Sequence, residues 1–310
     1  MKTTSNLLFM QAETQIHAGA GNGNGLIDLP IMREAHNNWP VIFGSAVKGA
    51  YRVKATNDNE LNKHAKGWFG QSSEDAEGGV GDLLFGDARL LWLPVRSLNS
   101  HTLWVTCPAV LQRYVRDVLR IGGKINNFGH SEDFANPRNK AYRCSSQTPS
   151  QQEDLLIEDF CLSVETRKTD EKNEVQDWFD TFLKWLETTG VSFSGYGDEH
   201  AGKLFQREIK QKLILVDDNL FRHLCTTATP VTPHVKLVPK TKANDSLWYV
   251  ETLPPETMFY STVICRSSDT NEQLKRLCEN YVQVGGHETT GMGWMNTCLL
   301  SSEQLNGEKK

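Results

Sequence analysis

The last third of the chain constrains the fold more than any other stretch. Val231–Val238 and Leu247–Leu253 read as two strands joined by the polar turn Pro239–Ser246, a long hairpin. Met258–Cys265 follows as a strand of the buried type. Thr270 and Gln273 make a capping box. Leu274, Leu277, Cys278 and Tyr281 then recur at i, i+3, i+4 and i+7, which predicts a helix. Val282–Val284 and Trp294–Leu300 supply strands around a Gly-rich turn.

The front of the chain can be fitted to that ending. Leu7–Met10 is an apolar run leading into Gly19–Gly25, where six of seven residues are Gly or Asn. Such a segment cannot be regular structure, and it frees the backbone for close approach to a ligand. After Pro40 and Val41–Phe43, Gly44-Ser45 opens a helix with Ser45 as the expected N-cap. Val47, Ala50 and Tyr51 give it an apolar side, and Lys48 and Arg52 lie four apart on another. Ala88–Val95 and Leu103–Thr106 read as strands. Pro108–Ile121 reads as a helix, with Val110, Leu111, Tyr114 and Val118 at helical spacing and Gly122-Gly123 as its stop. Val175–Leu186 is an amphipathic helix with Trp178, Phe179, Phe182, Trp185 and Leu186 inward, whereas Asn126–Gln152 is polar and irregular. The first strand, the Ser45 helix and the final strand–helix–strand fit a β-α-β-β-α-β plan with insertions. The expected fold is therefore α+β, a single RNA-recognition-motif or ferredoxin-like domain over residues 1–310. No internal repeat is visible, so repetition would have to come from copies of the chain.

Composition narrows the function classes. With 310 residues, 38% apolar and 23% charged, the chain can bury a core. Net charge is −5 and the pI about 6.0, which argues against a free-standing nucleic-acid binder but allows one basic face. The seven cysteines have no metal-ligand spacing and no disulfide pattern, which reads as reduced cytosolic usage without structural zinc. Met1–Met10 is too short a run for a signal peptide, and no apolar stretch approaches the roughly 18 residues of a membrane span. A cytoplasmic protein with no membrane partner is expected.

Three constellations carry chemistry. Asp28, in Gly25–Glu34, stands at the rim of the Gly/Asn segment, where a carboxylate reaches a phosphodiester unobstructed. It has two plainer readings, a turn aspartate or an ion pair with Arg33. Gly44–Arg52 sets a helix N-terminus beside Lys48, suited to phosphate, although the glycine spacing is not that of a Walker motif. An ordinary capped helix is the equal alternative. Val284–Trp294 places Gly285, Gly286, Gly291 and Gly293 after an apolar strand, a pattern for close backbone contact or for a simple turn. Arg113, Arg116 and Arg120, with Lys124, form a basic stripe that more often is just a solvated face. His17 beside the loop is available for acid–base work or for a plain hydrogen bond.

Taken together, Ala12–Gly21, Gly25–Glu34, Pro40–Arg52, Phe85–Ser97, Trp104–Pro108, Leu247–Tyr260 and Val282–Trp294 resemble, in order and spacing, one family. It is the RAMP-superfamily backbone subunit of the type III-B CRISPR (Cmr) complex. Asn126–Lys210 does not match. The resemblance implies target cleavage at Asp28, also the possible ligand of Mg2+ or another divalent cation, and guide contact at Lys48; Ser45 and Arg52 of the same helix are RNA-binding candidates beside it. It puts the superfamily's glycine-rich signature at Gly285–Gly293, with His287 where the family has Asn. The family's Trp-Tyr-Glu-Glu reads Trp248-Tyr249-Val250-Glu251 here, which leaves Glu251 a weaker catalytic candidate, beside His17 from its place at the loop. It further implies an insertion at about 125–210 and a projecting thumb hairpin at about 226–256. The implied partners are guide crRNA, complementary target RNA, head-to-tail copies of the chain and other type III-B effector subunits. Target RNA would be cut by attack of the 2′-hydroxyl. A guide-binding scaffold without a nuclease centre, or a metal-independent ribonuclease that processes precursor guide RNA, are the alternatives.

Overall fold

The computed structural model describes residues 3–23, 25–71, 79–125, 139–144, 146, 154–164, 174–189, 191, 193, 198–266 and 271–306. Strand β1 (Thr4–Ala12) leads to β2 (Val41–Ile42), helices α1 (Gly44–Asn57) and α2 (Asn62–Phe69), and strands β3 (Leu83–Phe85), β4 (Ala88–Ser97) and β5 (His101–Thr106). Next come α3 (Pro108–Arg120), β6 (Lys140–Ala141), β7 (Asp154–Ile157), β8 (Phe160–Val164), α4 (Glu174–Thr188), α5 (Asp198–Lys212), β9 (Leu213–Leu215) and α6 (Asp218–Thr227). The chain closes with the hairpin β10 (Val231–Leu237) and β11 (Asn244–Glu251), then β12 (Met258–Cys265), α7 (Asn271–Cys278), β13 (Asn280–Gln283), β14 (Trp294–Ser301) and the short α8 (Ser302–Leu305).

The result is a mixed α+β molecule built on one large, mostly antiparallel sheet in the order β13-β14-β1-β12-β4-β7-β8-β6. At its centre β1 pairs antiparallel with both β12 and β14, and β12 pairs antiparallel with β4. Leu7, Leu8, Phe9 and Met10 are all fully buried. Successive strand residues point to opposite faces, so both faces of β1 are covered, which is why its sequence shows no polar alternation. On one face Phe9 meets Tyr114 of α3, whose ring also contacts Tyr260 of β12 and Phe182 and Trp185 of α4. The inward residues expected of α4 are buried there. Asp117 of α3, itself buried, takes Arg89 at 2.7 Å and the Tyr260 hydroxyl at 2.9 Å, tying α3 to β4 and β12.

Several sequence expectations need correction. Ser45 is not the N-cap of α1: the helix begins at Gly44, Phe43 precedes it, and no side chain of the first turn caps it. The amide of Gly44 instead donates to Asp87 Oδ1 at 2.7 Å, from the loop between β3 and β4. Tyr281 is not on α7, because the helix ends at Cys278 and Asn280 turns at φ 64° into β13. The hairpin turn is shorter than Pro239–Ser246, since β11 already starts at Asn244. Thr270 of the expected capping box lies outside the described residues, as does most of Asn126–Gln152. Helices α2, α5 and α6 were not foreseen. Of these α6 carries its own signal: Asp217 accepts from the amides of Asn219 and Leu220. Among the described residues, no helix is long and apolar enough to cross a membrane.

Candidate functional site

The hairpin β10–β11 stands apart from the main sheet as its own two-stranded ribbon. One face pairs Pro233 with Tyr249 and Val235 with Leu247, and Val235, Leu247 and Tyr249 are exposed there. Its root is where the N-terminal segments meet it. Leu29 runs parallel to Val250, donating to the carbonyl of Tyr249 and accepting from the amide of Glu251, both at 3.0 Å. Ile16 pairs with Leu253 further along the same edge.

Asp28 sits at this junction, exposed. Its Oδ2 accepts the amide N–H of Tyr249 at 2.7 Å, and its carbonyl accepts from Gly23 at 2.7 Å, closing the Gly/Asn loop. Oδ1 has no partner among the described residues. The ion pair with Arg33 that the sequence left open is not made by Asp28. Glu251 makes it instead.

Glu251 is only 3% exposed. Its Oε1 takes Arg33 Nη2 at 2.5 Å and the Thr229 hydroxyl at 2.7 Å, and its Oε2 takes the Ile31 amide at 3.0 Å. Arg33 also donates to the carbonyls of Asn38 and Cys225. Both carboxylate oxygens are therefore committed, and Glu251 is a clamp on the strap 29–33 rather than a group open to solvent.

His17 is likewise buried, and its Nδ1 lies 2.8 Å from the carbonyl of Glu251. A carbonyl only accepts, so Nδ1 carries the proton and Nε2 is the basic nitrogen. Asp28 meets Tyr249 and His17 meets Glu251, two residues on, so their anchors are about 7 Å apart along one strand edge. Both the ring and the backbone of His17 demand glycine around them. A Cβ at Gly19 would stand 2.7 Å from Nε2, and one on Gly285 would strike the His17 carbonyl. Gly285, Gly291 and Gly293 also adopt positive φ. The amides of Gly286 and Gly293 donate to the carbonyls of His17 and Gln15, and Gly291 donates to Glu288. The loop is thus packed on the 15–18 segment, and these three amides are occupied.

The basic candidates divide. Lys48 is half-buried on α1 and makes no ion pair among the described residues, and Ser45 and Arg116 are exposed. Arg52 is turned inward onto the carbonyls of Gly70 and Gln71. Arg113 is nearly buried, 2.7 Å from Glu34 and 4.9 Å over the Trp39 ring, so it is no part of an open stripe. Arg120 pairs with Asp117 at 3.0 Å. Beside Lys48, a groove of about 750 Å³ runs between α1 and the Gly-rich loop, walled by Ala46, Gly49, Val53, Tyr281, Gly285 and Trp294.

No group of three His, Cys, Asp or Glu side chains that could hold a metal ion occurs among the described residues. Asp28 supplies one free carboxylate oxygen. That donor fits a magnesium-type ion that keeps most of its waters and is shared with a substrate phosphate, not one caged by protein.

Residues 9–296 match the RAMP superfamily. The chain is 30% identical over 300 residues to the CRISPR system Cmr endoribonuclease Cmr4 of Pyrococcus furiosus, covering 92% of each chain. Its fold is that of the oligomeric Cmr4 crystal structure from Pyrococcus furiosus, with a TM-score of 0.68 at 24% identity over 96% of this chain and 99% of that one. The same TM-score of 0.68 relates it to a chain of the type III-B Cmr-beta complex bound to cognate target RNA, at 18% identity over 97% of this chain and 98% of that one.

Proposed function

The chain belongs to the RAMP superfamily, and on that premise we propose that it is the backbone subunit of a type III-B CRISPR effector, an endoribonuclease that lines guide RNA head-to-tail and cuts the paired target. Within this reading β14-β1-β12-β4, with α1 and α7 as crossovers, is the RNA-recognition-motif core. Residues 125–210 are its insertion and the β10–β11 ribbon is the thumb, so the chain is one domain.

One observation carries the catalytic half: an exposed carboxylate, Asp28, is held by a backbone amide at the root of the projecting ribbon with its second oxygen outward. A ribbon with an exposed apolar face, laid between base steps, interrupts stacking and lets the target backbone turn. The Asp28 oxygen then orients the 2′-hydroxyl for in-line attack on the adjacent phosphorus. The P–O5′ bond breaks, the hydroxyl proton leaves to solvent, and a 5′-oxygen takes one up. The products are a 2′,3′-cyclic phosphate and a 5′-hydroxyl. A divalent cation bound at Asp28 would supply charge neutralisation at the phosphate. Glu251 positions the strap and His17 packs it; neither is assigned a proton-transfer step.

Guide contact falls to Lys48 and Ser45, joined by Arg116. The open faces of Gly285, Gly286 and Gly291 are assigned close approach, with Gly293 supporting the loop. Arg52 and Arg113 are turned onto groups of the protein itself, and Arg120, though exposed, is paired with Asp117. Sequence is read by guide pairing, and the protein reads backbone and shape.

The test is to purify the chain after expression with its partner subunits and ask whether RNA of uniform length accompanies it. Target RNA complementary to that guide should be cut at regular spacing with magnesium and not in EDTA. Cutting by the free chain in EDTA would overturn the reading.

A further inference from the structure

A column of aromatic rings at the hairpin root is used by neither the cleavage step nor the guide contacts. His234 and Trp248 face each other in register across the hairpin, their rings stacked at 5.8 Å. His234 stacks in turn on His287 of the Gly-rich loop at 5.7 Å, and His287 meets His17 edge-on at 5.2 Å. The rings come from the hairpin, the Gly-rich loop and the segment after β1, so the column cross-links the hairpin to the body. It lies on the face of the ribbon opposite Tyr249, whose amide holds Asp28.

We propose that Trp248, His234, His287 and His17 form a proton-sensitive joint: the neutral imidazole of His287, set between the other two histidines, holds the hairpin in its cleavage position, and its protonation in mild acid releases it. His234 and His287 are then positioning residues for the reaction. The proposal rests on the reading that this hairpin presents target RNA to Asp28.

The charge balance around the column favours this. His287, next in the chain to Glu288, is held below its usual 6.5, first by burial and then by the neighbouring imidazoles of His17 and His234. His17 faces the carbonyl of Glu251, and the Glu251 carboxylate is already matched by Arg33, Thr229 and the Ile31 amide. His234 faces Trp248, His287 and the Thr232 hydroxyl at 3.5 Å. None of these contacts supplies a free carboxylate to balance an imidazolium. The sign follows: the docked state binds protons less readily than the released one. Docking is at full strength above 6.5 and weakens as pH falls through that value, by up to about tenfold per pH unit until the docked His287 itself titrates.

Amide hydrogen exchange of the full chain without RNA, corrected for intrinsic rates, tests the joint independently of any nuclease activity. Protection of Val231–Leu237 should fall severalfold between pH 7.5 and 5.5, while protection of β1 holds. His287→Asn, which suits the left-handed backbone at that position (φ 62°), should make hairpin protection lower but indifferent to pH. His234→Phe keeps a stacked ring, removes one repelling imidazole, and should shift the loss to lower pH. In the assembled complex, the acid limb of target cleavage should shift with it while target binding does not. Hairpin protection that ignores pH in the unmodified chain, or an acid limb unmoved by His234→Phe, would overturn the joint. If Asp28→Asn still cuts, the nuclease reading fails while the exchange result stands.

Discussion

At the start of α1 the Gly44 amide donates to the Asp87 carboxylate at 2.7 Å, and at the root of the hairpin the Tyr249 amide donates to the Asp28 carboxylate at 2.7 Å. The two bonds are alike and their consequences opposite. At the helix the carboxylate occupies the donor that a phosphate would need, and it leaves negative charge where the helix dipole would welcome an anion. At the hairpin the amide fixes a carboxylate whose other oxygen stays open. The same bond closes one site and aims another, so a motif's chemistry depends on which group of the pair is left over.

The largest effect should come from the open oxygen. Asp28→Asn keeps an acceptor for the Tyr249 amide, so the loop and the assembled complex should survive, while target cleavage falls about 1000-fold, within the range of a positioned acid or base. Cleavage rate and target binding measured on the same preparation decide it. Near-normal cutting would mean that Asp28 is only the turn aspartate.

Glu251 sharpens the contrast, because it is an acid two strand positions from Tyr249 that has nothing left over. Removing it with Glu251→Ala strands Arg33, a partner only 19% exposed. The loss should be about 3 kcal/mol, the low end for breaking a buried pair. Urea unfolding measures it, and Arg33→Ala combined with Glu251→Ala should cost much less than the two singles added. A Glu251 variant of normal stability that no longer cuts would move this residue into the chemistry.

Which parts were legible in the sequence follows from how local the causes are. The bounds of β12 came from the run Met258–Cys265, and the stop of α3 from Gly122, which adopts φ 86° as a C-terminal glycine does. The place of Asp28 at a loop rim was readable because the Gly/Asn run is contiguous. The environments were not readable. Asp87 reaches Gly44 across 43 residues, Arg113 reaches Glu34 across 79, and Arg33 reaches Glu251 across 218. Such pairings are set by strand order, and no periodicity announces them. The basic stripe shows the same limit: spacing says that Arg113, Arg116 and Arg120 share a side of α3, not that Trp39 and Glu34 cover one of them. The histidine column was invisible likewise, since His234 and His287 stand 53 residues apart and His17 and His287 stand 270 apart.

Lys48→Ala addresses the helix side with a smaller effect. Taking one cation away from the guide phosphates should weaken guide retention uniformly across guide sequences and reduce the salt slope of release by about 1. Titrating bound guide RNA off the complex with salt measures this. An unchanged slope would leave α1 without a role in guide binding.

Asp87→Ala is the smallest and the most pointed test of the comparison. It removes the carboxylate that holds the Gly44 amide, so α1 should lose about 1 kcal/mol, the ordinary worth of an N-terminal cap. If Lys48 reaches the guide as proposed, it does so without help from that amide, and guide affinity should stay within about twofold at any salt. If instead guide affinity rose and its salt slope steepened, the freed helix terminus would be taking up a phosphate that Asp87 normally excludes. The two junctions would then differ only in degree, each a site for RNA that a neighbouring group holds partly shut.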